Sequence, residues 1–132
     1  MFWTDWGGPA KIERANMDGT QRSAVIFTNI KWPNGLTIDY TDSKLYWTEA
    51  ILDLIECANF YGNERRQVLR NLQHPFGLDV YGEYIFWGDW LTKDIRRANK
   101  TTGEGVTIIK EGVENIMEMR VFHAGRQKGM SW

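Results

Sequence analysis

The chain has 132 residues, room for one domain or part of one. Acids and bases nearly balance, at a formal net charge of −1, which excludes recognition of nucleic acid or a membrane surface driven by bulk charge. No apolar run reaches the roughly 18 residues that would cross a bilayer as a helix, while seven Trp let a few residues supply a core.

The N-terminus, MFWTDWGG, lacks a basic segment followed by an apolar stretch, so it does not read as a signal peptide. Its FWTDW (Phe2 to Trp6) returns as YWTEA (Tyr46 to Ala50) and FWGDW (Phe86 to Trp90), with starts 44 and 40 residues apart. KWPNGLTID (Lys31 to Asp39) and QHPFGLDV (Gln73 to Val80) precede the last two, offset by 42. A third motif follows each copy: KIERANMDG, LIECANFYG and DIRRANKTTG. Such a period suits four short strands and their turns, the blade of a β-propeller.

A helical repeat of similar period is the competitor, and the local pattern excludes it. GLTIDYTDSKLYWTE sets a Thr-Asp-Ser-Lys turn between two β-rich runs, which reads as a hairpin. No apolar helical stripe lasts three turns. The middle blade is predicted to have strands at about Gly35 to Tyr40, Lys44 to Thr48, Asp53 to Asn59 and Arg65 to Arg70. The next blade runs from about Gly77 to Lys110, and Met117 to His123 reads as a lone first strand. The chain is therefore predicted to be all-β: strands two to four of one blade, two further four-stranded antiparallel blades and one closing strand.

In an up-and-down blade, the turn between strands two and three lies at the same end as the connection into strand one. Trp6 and Trp90 come to that end from the first motif, and Trp32, Asn34, His74 and Phe76 from the second. Met117 stands at the third equivalent position. Large amphipathic groups gathered on one rim form a protein-binding surface, since Trp and Tyr dominate interface hot spots and Met adapts to varied partners. Other residues read as structural. Trp3, Trp47 and Trp87 are expected to pack between blades, Gly35 and Gly77 to permit a tight entry into strand one. Asp5, Glu49 and Asp89 are expected to accept backbone hydrogen bonds at the blade turns.

No zinc-type Cys/His spacing, phosphate-binding loop or nucleophile motif is present, and no cofactor is implied. The one cysteine, Cys57, has no partner for an internal disulfide. Asn99-Lys100-Thr101 matches the N-glycosylation acceptor pattern. An enzyme would need acids and bases at the propeller axis, where this sequence places aromatics, Asn and His. His74 on the rim raises a further expectation, release of ligand on acidification.

WPNGLTIDYTDSKLYW and HPFGLDVYGEYIFWGDW resemble the YWTD, or LDL-receptor class B, repeats of the LDL-receptor-related proteins and nidogen. The resemblance covers residues 1–129 and leaves 130–132 as a non-family tail. It implies about three blades of a six-bladed YWTD propeller, the C-terminal half of one. It further implies an extracellular module of an endocytic or Wnt co-receptor-type receptor, anchored at the plasma membrane and flanked by EGF-like modules. Secreted protein ligands or antagonists would be its partners, and a nidogen-like matrix adhesion module is the alternative. In the Wnt co-receptor branch, positions matching Trp6, Trp32, Asn34, His74 and Trp90 grip an Asn-x-Ile peptide of antagonists. Gly88 stands where the motif usually has Thr, Glu49 where it has Asp, and Glu114 where the family has an aromatic. Half a ring would leave two blade faces bare, so self-association of two copies is expected.

Overall fold

The computed structural model describes residues 1–122. Among them are eleven strands and no helix. Blade 1 comprises β1 (Phe2–Asp5), β2 (Lys11–Arg14) and β3 (Ser23–Ile26). Blade 2 comprises β4 (Pro33–Asp39), β5 (Lys44–Glu49), β6 (Leu54–Asn59) and β7 (Arg66–Leu69). Blade 3 comprises β8 (Pro75–Tyr81), β9 (Tyr84–Asp89), β10 (Asp94–Asn99) and β11 (Thr107–Glu111). Each sheet follows chain order, and every neighbouring pair is antiparallel. The expected strands of the middle blade are present within two residues at each boundary.

The turns form because short polar side chains replace backbone partners. Asp39 Oδ1 accepts from the Thr41 backbone N–H at 3.1 Å, closing the turn between β4 and β5. Between strands three and four, Asn59 Oδ1 accepts from Tyr61 and Asn63, and Asn99 Oδ1 accepts from Thr101 and Thr102. The chain then leaves these turns through Gly62 and Gly103, at φ +83° and +73°, a region where a side chain is strained.

Apolar residues on both faces of the inner strands bury the sheets against one another. One core lies between blades 1 and 2 and includes Ile12, Val25, Ile26, Leu45 and Trp47. The other lies between blades 2 and 3 and includes Tyr46, Ile55, Val68, Leu78 and Trp87. Trp47 and Trp87 are fully buried, as expected of motif tryptophans packed between blades. Trp3, their counterpart, is half-buried, with the Arg22 guanidinium 5.3 Å above its ring.

Two polar contacts also cross the second boundary. Thr37 donates to Asp79 at 3.0 Å, and the buried Lys100 ammonium reaches Asp39 at 2.8 Å. Gly35 fits because β4 and β8 approach closely: an added Cβ would stand 2.8 Å from Leu78. Gly77 has φ +50°.

Met117 to Phe122 corrects one expectation. The segment runs beside β8, with the Val121 N–H donating to Asp79 Oδ2 at 2.6 Å, but pairs into no sheet. A first strand needs a second strand beside it, and none follows among the described residues. His123 lies outside them.

Candidate functional site

The turns between strands two and three and the entries into strand one meet at one end of the blades, here called the top. The acid closing each motif makes the junction. Glu49 Oε1 accepts from the backbone N–H groups of Lys31 and Trp32, and the Trp32 carbonyl accepts from Ala50. In blade 3, Asp89 Oδ2 accepts from Gln73 and His74 while Oδ1 accepts from Leu91 and Thr92. Among the described residues Asp5 accepts one backbone N–H, that of the exposed Gly7, and its other oxygen lies 4.0 Å from the Lys11 ammonium. All three motif acids therefore act as expected, with unequal numbers of bonds. Burial pushes the Glu49 carboxyl above its ordinary range, against the backbone N–H groups of Trp32, Lys31 and Ile51, which favour its charged form.

Trp6 and Trp90 tie each blade to the next entry. The Trp6 indole N–H donates to the Pro33 carbonyl at 2.6 Å, and the Trp90 indole N–H to the Ile116 carbonyl at 2.8 Å. Fixed at one end, each ring remains at the surface, and Trp6 is 50% exposed.

From Trp6 a run of rings crosses the top. Trp6 meets Trp32 edge-on at 5.5 Å, and Trp32 meets His74 at 6.1 Å and Phe76 at 5.9 Å. His74 lies 5.7 Å from Trp90, which stacks on Phe76 at 3.9 Å with planes 6° apart. Such contacts hold large side chains in place before any partner arrives. Five of the seven expected rim residues thus form one assembly. Phe76 differs from its expected surface role: at 2% exposure it is the platform beneath Trp90. Met117 stands exposed to one side.

Asn34 sits in a bulge of the β4–β5 pairing, between Pro33 and Gly35. A bulge leaves one residue outside the ladder and re-aims its side chain. The Thr48 hydroxyl, which accepts from the Gly35 N–H, donates to Asn34 Oδ1 at 2.6 Å. The Asn34 amide nitrogen and the Trp32 indole nitrogen have no partner among the described residues. A buried donor left unpaired is costly, and the indole nitrogens of Trp47 and Trp87 in the core share that state among the described residues. Asn34 and Met117 also edge a cleft of about 410 Å³ running between the inner strands.

Blade 3 replaces this polar pair with an apolar one. Gly88 stands where blade 2 has Thr48, and Phe76 where it has Asn34. A side chain at Gly88 would collide with Ile116, 2.6 Å from an added Cβ. The Thr→Gly departure therefore makes room for the packing of Ile116. Glu114 ion-pairs with Lys93 at 3.0 Å on the same end.

Sequence reasoning missed Ile51 and Leu91, 59% and 66% exposed in the turns beside the aromatic run. Their signal was present: an apolar residue two places after the motif acid, inside a tight turn. Among the described residues no group of three His, Cys, Asp or Glu is placed to hold a metal ion. Asn99, the glycosylation candidate, is half-buried, with Oδ1 engaged in its turn.

Sheets arranged as successive blades, each repeating one motif, define a partial β-propeller. The sequence profile described as low-density lipoprotein receptor repeat class B matches residues 1–40 and 43–81. The chain belongs to that family. It is 43% identical over 126 residues to human low-density lipoprotein receptor-related protein 5, covering 96% of this chain and 8% of that one. It is 35% identical over 128 residues to the vitellogenin receptor Yl of Drosophila melanogaster, covering 96% of this chain and 6% of the receptor. A chain in the crystal structure of a nidogen/laminin complex superposes with a TM-score of 0.72 at 32% identity. That match covers 83% of this chain and 41% of the other. The chain thus spans less than a tenth of the length of these two receptor relatives.

Proposed function

We propose that this chain is an extracellular protein-binding module of a receptor related to the LDL receptor, endocytic or of the Wnt co-receptor type, and not an enzyme. The observation that carries the reading is the run of rings from Trp6 to Trp90. Its rings contact one another in sequence, Trp6 is half-exposed, and beside them are two donors that lack acceptors among the described residues. Aromatic anchors beside unsatisfied polar groups suit a peptide segment that offers an apolar side chain and a carbonyl or amide oxygen. The receptor names of two relatives support the same reading. On it, the parent protein is anchored at the plasma membrane with this module outside, and Asn99 carries a glycan.

Matrix adhesion is the second reading, favoured by the nidogen/laminin likeness. Both readings use the same face. Pull-down from secreted proteins tests that face, comparing the wild-type chain with a Trp32→Ala, Asn34→Ala double variant. The expected result is loss of the captured proteins by the double variant. Undiminished capture would contradict the proposal.

A further inference from the structure

Asn34-Gly35 is the one Asn-Gly pair in the sequence. Such a pair commonly marks a hairpin turn. Here it lies inside β4, at the bulge where Gly35 faces Thr48. Packing imposes the glycine. An added Cβ at position 35 would stand 2.7 Å from the Thr48 hydroxyl oxygen, 2.8 Å from Leu78 and 3.2 Å from the Gly77 nitrogen. No side chain fits there while blades 2 and 3 meet as they do.

That constraint leaves a chemical liability. A residue without a Cβ lets its own backbone nitrogen approach the preceding side chain closely. The Gly35 nitrogen can attack Asn34 Cγ and form a five-membered imide. The Cγ–Nδ2 bond breaks, and the NH2 group leaves as ammonia with the proton given up by Gly35. Water then adds to one of the two imide carbonyls and breaks its bond to nitrogen, leaving aspartate or isoaspartate. Either product sets a carboxylate two residues from Trp32. Isoaspartate also reroutes the β4 backbone through the side chain, lengthening it by one methylene.

The Thr48 hydroxyl holds both reacting groups. Its oxygen accepts from the Gly35 N–H at 2.9 Å, and its proton goes to Asn34 Oδ1 at 2.6 Å. Thr48 is fully buried in β5, paired on one side with β4 and on the other with β6. Bringing the Gly35 nitrogen onto Cγ requires rotation of the extended backbone at Asn34, which breaks both bonds and takes Gly35 out of register with Thr48. Asn34 Nδ2 has no partner among the described residues, so the hydroxyl is the tether of the side-chain amide there. Blade 3 supplies an internal comparison. Its Phe76-Gly77 has no amide to protect, and Gly88 stands where blade 2 has Thr48.

We propose that Asn34 is a latent deamidation site and that the Thr48 hydroxyl is the lock that keeps it closed in the folded chain. The close approach of β4 to β8 demands the glycine, and the hydroxyl contains the reactivity that the glycine brings.

Mass spectrometry of the Asn34 peptide tests this, after the chain is held at neutral pH in heavy-oxygen water, which marks conversion during the incubation. Folded wild type is expected to convert at least about tenfold more slowly than the same chain in urea, from two hydrogen bonds of ordinary strength. Thr48→Val keeps the shape without the hydroxyl and is expected to convert about tenfold faster than wild type while folded. Thr48→Ser restores the hydroxyl and is expected to return near the wild-type rate. Gly62→Ala weakens the turn between β6 and β7 with Thr48 intact and is expected to stay slow, which separates loss of the lock from general opening. Circular dichroism checks that each variant keeps its sheets. If Thr48→Val loses them, Thr48→Ala takes its place, and the wild-type comparison needs no variant. Folded wild type converting as fast as unfolded, or Thr48→Ser or Gly62→Ala converting as fast as Thr48→Val, would overturn the proposal. So would Thr48→Val converting no faster than wild type, and a slower rate would make the hydroxyl a proton relay instead of a lock.

Discussion

Single carboxylates decide how the top of each blade is held. Asp89 satisfies four backbone N–H groups, and its removal would take the acceptor from four part-buried bonds at once. Asp89→Ala is expected to cost about 3 kcal/mol, whereas Asp5→Ala, losing one exposed bond, costs under about 1 kcal/mol. Urea unfolding of the two variants measures the contrast. Glu49 adds a pH dependence. Its folded pKa is raised above the ordinary value of 4.5 by burial, so the folded chain binds its proton more tightly than the unfolded chain. The stability this gives is complete below the ordinary value and is lost as pH rises through the raised one. Glu49→Gln cannot ionise, so its urea midpoint should gain on wild type between about pH 4 and pH 7. Parallel midpoints across that range would contradict the sign.

At the scale of strands and turns, one device repeats: a capping Asn, then a glycine pressed onto the blade before. Gly62→Ala combines a positive φ with a collision at Val25 and is expected to cost more than about 2 kcal/mol. Gly82→Ala has a comparable φ, +58°, but open space, and should cost only about 1 kcal/mol by the same urea measurement. Much of this was legible in the sequence. The Asp and Asn turns and the alternation along β4 are local signals, and the three-fold repeat fixed their order. What escaped depends on contacts between distant segments. Phe76 reads as a rim aromatic like its neighbours, yet Trp90 covers it. Gly88 reads only as a departure from the motif's Thr until Ile116 is placed against it. Lys100 follows the turn Asn as Phe60 does, but closes its boundary through a buried ion pair with Asp39 rather than a ring. A first strand at Met117 to His123 was read from residues alone, whereas strand formation also requires a neighbour.

For the molecule as a whole, the blades set the position of one surface. Strand order brings Trp6, Trp32, His74 and Trp90 from three sheets to the same end, where indole-to-carbonyl bonds anchor Trp6 and Trp90. The opposite end is built from turn residues such as Tyr40, which is 79% exposed and joins no aromatic run among the described residues. The face was legible in the sequence because blade geometry follows from the repeat. The unpaired donors of Trp32 and Asn34 were not, because they depend on the bulge and on Thr48. The central claim is that partners bind at the top. Placing a photo-crosslinking phenylalanine analogue at Met117 or at Tyr40, then irradiating each chain with secreted proteins, tests it most directly. Covalent adducts from the Met117 position with few from Tyr40 are the predicted result, and adducts arising chiefly from Tyr40 would contradict it.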